Sequence, residues 1–317
     1  MRFDVKFSFS IDMCKKEEVY MSYILRGTAG ENSDIRFFAA ITTDLVEKAR
    51  KIHNLSPTSS AALGRLLSAG VIMGCMLKGE EDNLTISLNG GGPIGNVMVS
   101  ANSKGNIKGY VSNPQIDLPL NSKGKLDVGG AVGTNGTLNV IKDIGLKEPY
   151  VGQVPIKSGE IGDDLAYYFA ISEQIPSAVD VGVLVDTDLS IKAAGSLIIQ
   201  MMPDADPYLA DIVTYRIKEI PPLTTLISDG KTAKDILNML FDDMNLKILE
   251  KIDADYVCDC SKERVERALI SLGKDELKKI KDQDLKDNNE KLEVCCHFCS
   301  NKYYFNRKDI ERLIEES

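Results

Sequence analysis

The chain of 317 residues carries 38 Lys and Arg against 47 Asp and Glu, a net charge of −9, and 43% of its residues are hydrophobic. Such a balance excludes a broad nucleic-acid footprint, which needs clustered positive charge, and supplies enough apolar mass for two domains or one large domain plus a module. No window has the length and purity of a membrane span; the nearest, "AALGRLLSAGVIMGCML" at 61–77, contains Arg65 and reads as a central core helix.

The N-terminus, "MRFDVKFSFSID", alternates and lacks the apolar stretch of a signal peptide. The expectation is therefore a cytoplasmic protein with reduced cysteines. Segments 19–25 and 35–42 suit strands, and 43–53 suits a helix. Ser56 and Pro57 supply helix-start chemistry before the core helix. From 84 to 156 the period changes to two. Short alternating runs ("LTISL", "NVMVS", "IKGYV", "LNVIKDIG") are separated by Asn-Gly pairs and two "NSKG" turns, the pattern of an antiparallel sheet. Residues 158–175 read as a helix, and 179–202 as two more strands. This order predicts an α+β body, a mixed and largely antiparallel sheet packed with helices, over 1–203.

After Met202 the composition shifts. Residues 204–254 read as a helical, metastable linker region docked on its neighbours. Within it, Thr232 is placed to cap a helix, with Asp235 three residues on. Leu237, Leu240, Phe241 and Met244 fall at i, i+3, i+4 and i+7, a stripe that must be buried against something else. Residues 255–317 form a small last domain. Ser261 and Asn306 are placed to cap its helices, and Gly273 to close the first. The charge-dense run 274–293 reads as a solvated helix and loop.

Five of the seven cysteines lie in "CDC" (258–260) and "CCHFC" (295–299). Cys14 and Cys75, alone in apolar surroundings, read as small buried hydrophobes. Thiolates are soft ligands suited to tetrahedral zinc, and Cys258, Cys260, Cys296 and Cys299 can wrap one ion. Four sulfurs fill such a site, which leaves Cys295 and His297 as spectators. A core of about 60 residues seldom supplies more than about 3–5 kcal/mol, whereas structural zinc in small peptides contributes roughly 10–16 kcal/mol. The metal term wins, so the unit should unfold without it. Thiolates are also what oxidants attack. Each pair can close on itself, although an extended Cys-x-Cys places its Cα atoms about 6.6 Å apart, near the limit for a disulfide. Spacing alone leaves both a structural zinc and a redox switch open.

Other signals read as structural. "GGGPIG" (90–95) lacks the Gly-Lys-Ser/Thr ending of a phosphate loop. Asp163 and Asp164 sit where a first helical turn favours acids. His53 reads as a surface residue at a helix end. Tyr303, Tyr304 and Phe305 read as packing around the metal site, because 13 Lys and Arg face 15 Asp and Glu in 255–317. No catalytic site is expected.

"CDCSKERVERALISLGKDEL" with "EVCCHFCSNKYYF" resembles the zinc end of the 33-kDa heat-shock chaperones. "SPTSSAALGRLLSAG", "SGEIGDDLAYYFAISEQIPSAV" and "GSLIIQMMPDA" resemble the body of that family, and the likeness runs almost end to end. The resemblance implies a redox-regulated, ATP-independent holdase. When reduced, Cys258, Cys260, Cys296 and Cys299 would hold one zinc. Oxidation would pair the two cysteines within each motif, release the ion, and unfold the zinc unit and linker. The protein would then dimerise and hold unfolding clients, without nucleic-acid or membrane partners. Leu237, Leu240, Phe241 and Met244 would belong to the client-binding surface. Two departures from the family pattern stand out: a longer spacer within "KDQDLKDNNEK", and Cys295 as an extra thiol beside the second pair. The reading from another class is a constitutive zinc module that binds a protein or RNA partner.

Overall fold

The computed structural model describes residues 22–203, 205–284 and 291–317. Cys14 and the first residues of the strand expected from 19 lie outside them. Strands β1 (Tyr23–Ala29) and β2 (Ile35–Ile41) pair antiparallel, and helix α1 (Thr43–His53) follows. Helix α2 (Pro57–Cys75) starts as its sequence dictates: the Ser56 hydroxyl accepts from Ser59 N–H, and Pro57, which has no N–H to lose, takes the first turn. Nearly every residue of α2 is buried. Cys75 at its end is one of them, its thiol pushed up to about 11 by burial, and it serves as a small hydrophobe. Among the described residues no helix is long and apolar enough to cross a membrane.

Helix α2 packs against both sheets of the body. The first sheet contains β3 (Asn83–Asn89), β4 (Val97–Asn102), β5 (Asn106–Val111), β6 (Thr137–Asp143) and β7 (Tyr150–Pro155), all antiparallel. A two-residue strand, β11 (Asp255–Tyr256), joins its edge in parallel beside β5. A short helix, α3 (Val128–Val132), lies between β5 and β6; Asp127 caps it by accepting from Gly130 N–H at 2.9 Å. The "GGGPIG" glycines are turn residues. A Cβ on Gly90 would lie 2.1 Å from the Gly133 carbonyl, so the loop needs glycine to pass α3. Helix α4 (Ile161–Tyr168) ends in a wider π turn, Phe169–Glu173. Asp164 is fully buried there and accepts from Lys157 N–H (2.7 Å) and Ser158 N–H (3.1 Å), a structural role.

The second sheet has the order β10-β1-β2-β9-β8, with β8 at Ser177–Val185, β9 at Ile191–Met201 and β10 at Lys247–Asp253. Its far face carries α5 (Pro207–Glu219), α6 (Leu223–Ser228) and α7 (Ala233–Phe241). Thr232 and Asp235 form a complete capping box on α7. Leu237, Leu240 and Phe241 are fully buried and Met244 partly so, packed against β1, β2 and β9. Phe241 stacks on Phe37 at 5.9 Å. Arg216 of α5 grips Asp243 through two hydrogen bonds (2.6 and 2.7 Å) and donates to the Leu240 carbonyl. The segment read as helical through 254 is helical only to Phe241. Beyond it, β10 seals the edge of β1, and that open edge, which the short charged stretch 247–253 cannot reveal by itself, decides for strand.

The last unit holds α8 (Lys262–Ile270), α9 (Lys274–Lys279), β12 (Lys291–Cys295), β13 (Lys302–Asn306) and α10 (Arg307–Glu316). Ser261 and Asn306 cap α8 and α10 as expected. The ends of the run 274–293, which the structure describes, are less solvated than its charges suggest. Leu277 is fully buried, and Lys291–Cys295 is a strand in which Leu292 and Val294 pair with Phe305 and Tyr303. This unit's own core is small: Leu269, Leu277, Phe305, Ile310 and Leu313.

Truncating Phe241→Ala should cost about 3–5 kcal/mol of the body's stability in a denaturant melt of the reduced protein. A loss under about 1 kcal/mol would show that α7 is not docked on Phe37.

Candidate metal centre

Two short turns build the site. Strand β11 runs through Val257 into Cys258-Asp259-Cys260, and Ser261 then starts α8. On the other side β12 ends at Cys295 and the chain doubles back. Cys296 N–H donates to the Asn301 carbonyl (2.8 Å), Ser300 N–H to the Cys296 carbonyl (2.9 Å), and Ser300 takes a left-handed φ of 59°. The Sγ atoms of Cys258, Cys260, Cys296 and Cys299 all lie within 4.8 Å of one another. Across the motifs, Cys258 and Cys296 stand 3.8 Å apart and Cys260 and Cys299 3.2 Å. A tetrahedral ion with metal–sulfur bonds of about 2.3 Å requires edges of about 3.8 Å. All four are free thiols, and the donor set suits a soft tetrahedral cation. Strand alternation keeps Cys295 out: it shares the exposed face of β12 with Glu293. His297 is absent from the cluster too, and packs on Tyr110 at 5.4 Å.

The thiols cannot all ionise unaided. Burial pushes Cys258 up to about 11, and burial also raises Cys299. For Cys260, burial opposes ionisation, but hydrogen bonds from Tyr303 and the other three cysteines outweigh it and bring the thiol down to about 7. The Tyr303 hydroxyl sits 3.0 Å from Cys260 Sγ. One negative charge in the cluster thus discourages the next. Only a cation lets four sulfurs share this space as thiolates.

The body reaches the site through residues that the sequence does not flag. Lys108 of β5 pairs with Asp259, between the first two cysteines, and its ammonium lies 5.2 Å from the centre of the Phe298 ring. Arg264 pairs with the same Asp259. Tyr110, also on β5, meets Phe298 edge-on at 5.3 Å. Tyr256 is buried; its hydroxyl donates to the Gly109 carbonyl (2.7 Å), accepts from Gly109 N–H (3.2 Å), and also reaches the Phe298 carbonyl. His53 is not the surface residue that its helix-end position suggested. It is half-buried, with Nε2 3.0 Å from the Tyr256 hydroxyl. A tyrosine two positions before a cysteine carries no signal in sequence; its burial follows from pairing with a strand 150 residues away. The α7 stripe belongs to the other core and does not join this site.

A family model described as "Hsp33 protein" matches residues 22–306. The chain is 55% identical to the 33 kDa chaperonin of Clostridium botulinum (strain Eklund 17B / Type B) over 294 residues, covering 93% of this chain and 98% of the relative. It is 55% identical to that of Clostridium acetobutylicum over 293 residues, with 92% and 97% coverage. The crystal structure of the 33 kDa chaperonin (heat shock protein 33 homolog) of Thermotoga maritima superposes with a TM-score of 0.84 at 37% identity, covering 94% of this chain and 99% of that one.

Because the Cys258 and Cys299 thiols lie above neutral, a metal must displace at least their two protons, and affinity falls as pH falls. Cobalt titration, followed by its thiolate charge-transfer absorption, should weaken by at least about 100-fold per pH unit below 8. A pH-independent titration would mean that these thiols do not bind it.

Proposed function

The chain belongs to the Hsp33 family, and on that premise we propose that it is an ATP-independent holdase switched by oxidation of its four clustered thiols. The observation that carries this reading is the cluster itself: four free sulfurs within 4.8 Å, at the foot of a unit whose core, among the described residues, is five buried side chains.

In the reduced form Cys258, Cys260, Cys296 and Cys299 hold one zinc ion. That ion supplies the positive charge that keeps the four thiolates together. Position comes from both sides: Lys108 of the body and Arg264 of the last unit fix Asp259, and Tyr303 of the last unit donates to Cys260. Peroxide takes two electrons from each pair of thiolates and two protons from solvent, leaving one disulfide and two waters. Pairing within the motifs, Cys258 with Cys260 and Cys296 with Cys299, follows the family resemblance. It breaks the geometry described above, in which Cys260 and Cys299 meet at 3.2 Å across the two motifs. Once the cluster is lost, the small core cannot hold residues 255–317 folded, and the linker region 204–254 loosens from the body of 1–203. Leu237, Leu240, Phe241 and Met244 then leave their buried positions, and the apolar surface exposed binds unfolding clients in the cytoplasm. The active form is a homodimer.

Peroxide at mild heat should release about one zinc per chain, seen with a zinc-sensitive dye, and light scattering of a denaturing client should fall in step. Zinc retained under these conditions, or released without any suppression of aggregation, would leave a constitutive zinc module as the better description.

A further inference from the structure

Residues 247–260 form one continuous strip that seals two sheets before it enters the metal site. Strand β10 closes the edge of β1, and β11 closes the edge of β5. The second closure is short and built from few groups. Asp255 N–H donates to the Gly105 carbonyl at 3.1 Å, and Val257 N–H to the Ile107 carbonyl at 2.9 Å. At Gly109, where β11 has already ended, the Tyr256 hydroxyl replaces a strand: it satisfies both the N–H and the C=O of that one residue. Gly105 shows how closely the strip lies, since a Cβ there would stand 2.1 Å from the Asp253 carbonyl. The next residues of the strip are Cys258, Asp259 and Cys260, whose positions depend on the cluster. The Tyr256 hydroxyl also touches the Phe298 carbonyl inside the second motif. Among the described residues nothing but this strip pairs with the outer edge of β5.

An open strand edge presents unpaired N–H and C=O groups and takes up another extended chain. We infer that the outer edge of β5, from Gly105 to Gly109, together with the cavity that Tyr256 fills beside His53, is a docking site for an extended client segment carrying an aromatic side chain. Residues 255–257 occupy that site as an internal stand-in while the thiol cluster is intact. The occupant is specified by the stand-in. Its main chain is extended and parallel to β5, and its one fully buried side chain is a tyrosine. The hydrogen bonds come from the client's backbone, which every polypeptide has, and the cavity adds a preference for an aromatic ring. This inference rests on the redox reading above and names a second surface, on the other sheet from α7.

Hydrogen exchange of the segment 106–111, on the full chain, tests it. The probe is reduced, carboxymethylated α-lactalbumin, a permanently unfolded polypeptide. The segment should be protected in the reduced, zinc-loaded protein. Peroxide oxidation should speed its exchange by about tenfold or more, and the probe should restore most of the protection. Tyr256→Phe, which keeps the ring and removes the hydroxyl, should speed exchange at Gly109 before oxidation. A short extended peptide containing one tyrosine should displace the probe better than its Tyr→Asp counterpart. If oxidised protein holds the probe while 106–111 stays open, or never opens, the docking site is wrong and the redox reading survives. If oxidation neither opens 106–111 nor produces holding, both fail.

Discussion

Four sulfurs packed within 4.8 Å cannot all carry charge in the absence of a cation, and the last unit is built around that constraint. Burial holds two of the thiols above neutrality, while hydrogen bonds bring a third down. Among the described residues the unit around them has a core of five buried side chains, whereas the body has two large cores on the two sides of its second sheet. Apolar burial is therefore distributed unevenly, with most of it in the body.

The contact between body and last unit is specific. Strand β5 supplies Lys108 to the first cysteine pair and Tyr110 to the loop of the second, and Gly109 between them receives the Tyr256 hydroxyl. Neither motif is anchored by its own unit alone. Three consecutive residues of β5 thus touch the thiol loops directly, without the helices of the linker region between them.

Those helices are tied down differently. The apolar stripe of α7 is inserted against β1, β2 and β9, with Phe241 on Phe37, and Arg216 clamps the chain just beyond it. Strand β10 follows directly, and the same run of chain then becomes β11 and the first cysteine pair. Residues 255–260 are thus continuous with the strand that seals the edge of the sheet that α7 covers. The two surfaces hidden in the folded state, one apolar face and one strand edge, are joined by a single strip of backbone.

Much of this was legible locally. Ser56, Thr232, Ser261 and Asn306 cap the helices that their sequences announced, because a cap is decided within four residues. The α7 stripe and the buried α2 follow from helical periodicity, and the sulfur set from ligand chemistry and spacing. What the sequence could not decide was everything settled at a strand edge. Residues 247–253 read as part of a helical linker and 291–293 as part of a solvated helix and loop; both become strand because β1 and β13 offer partners. Tyr256 and His53 look incidental and become the contact between body and thiols because β11 finds β5. Local dihedral preference and side-chain chemistry are written residue by residue, while edge pairing depends on which distant backbone groups remain unsatisfied, and only the folded chain determines that.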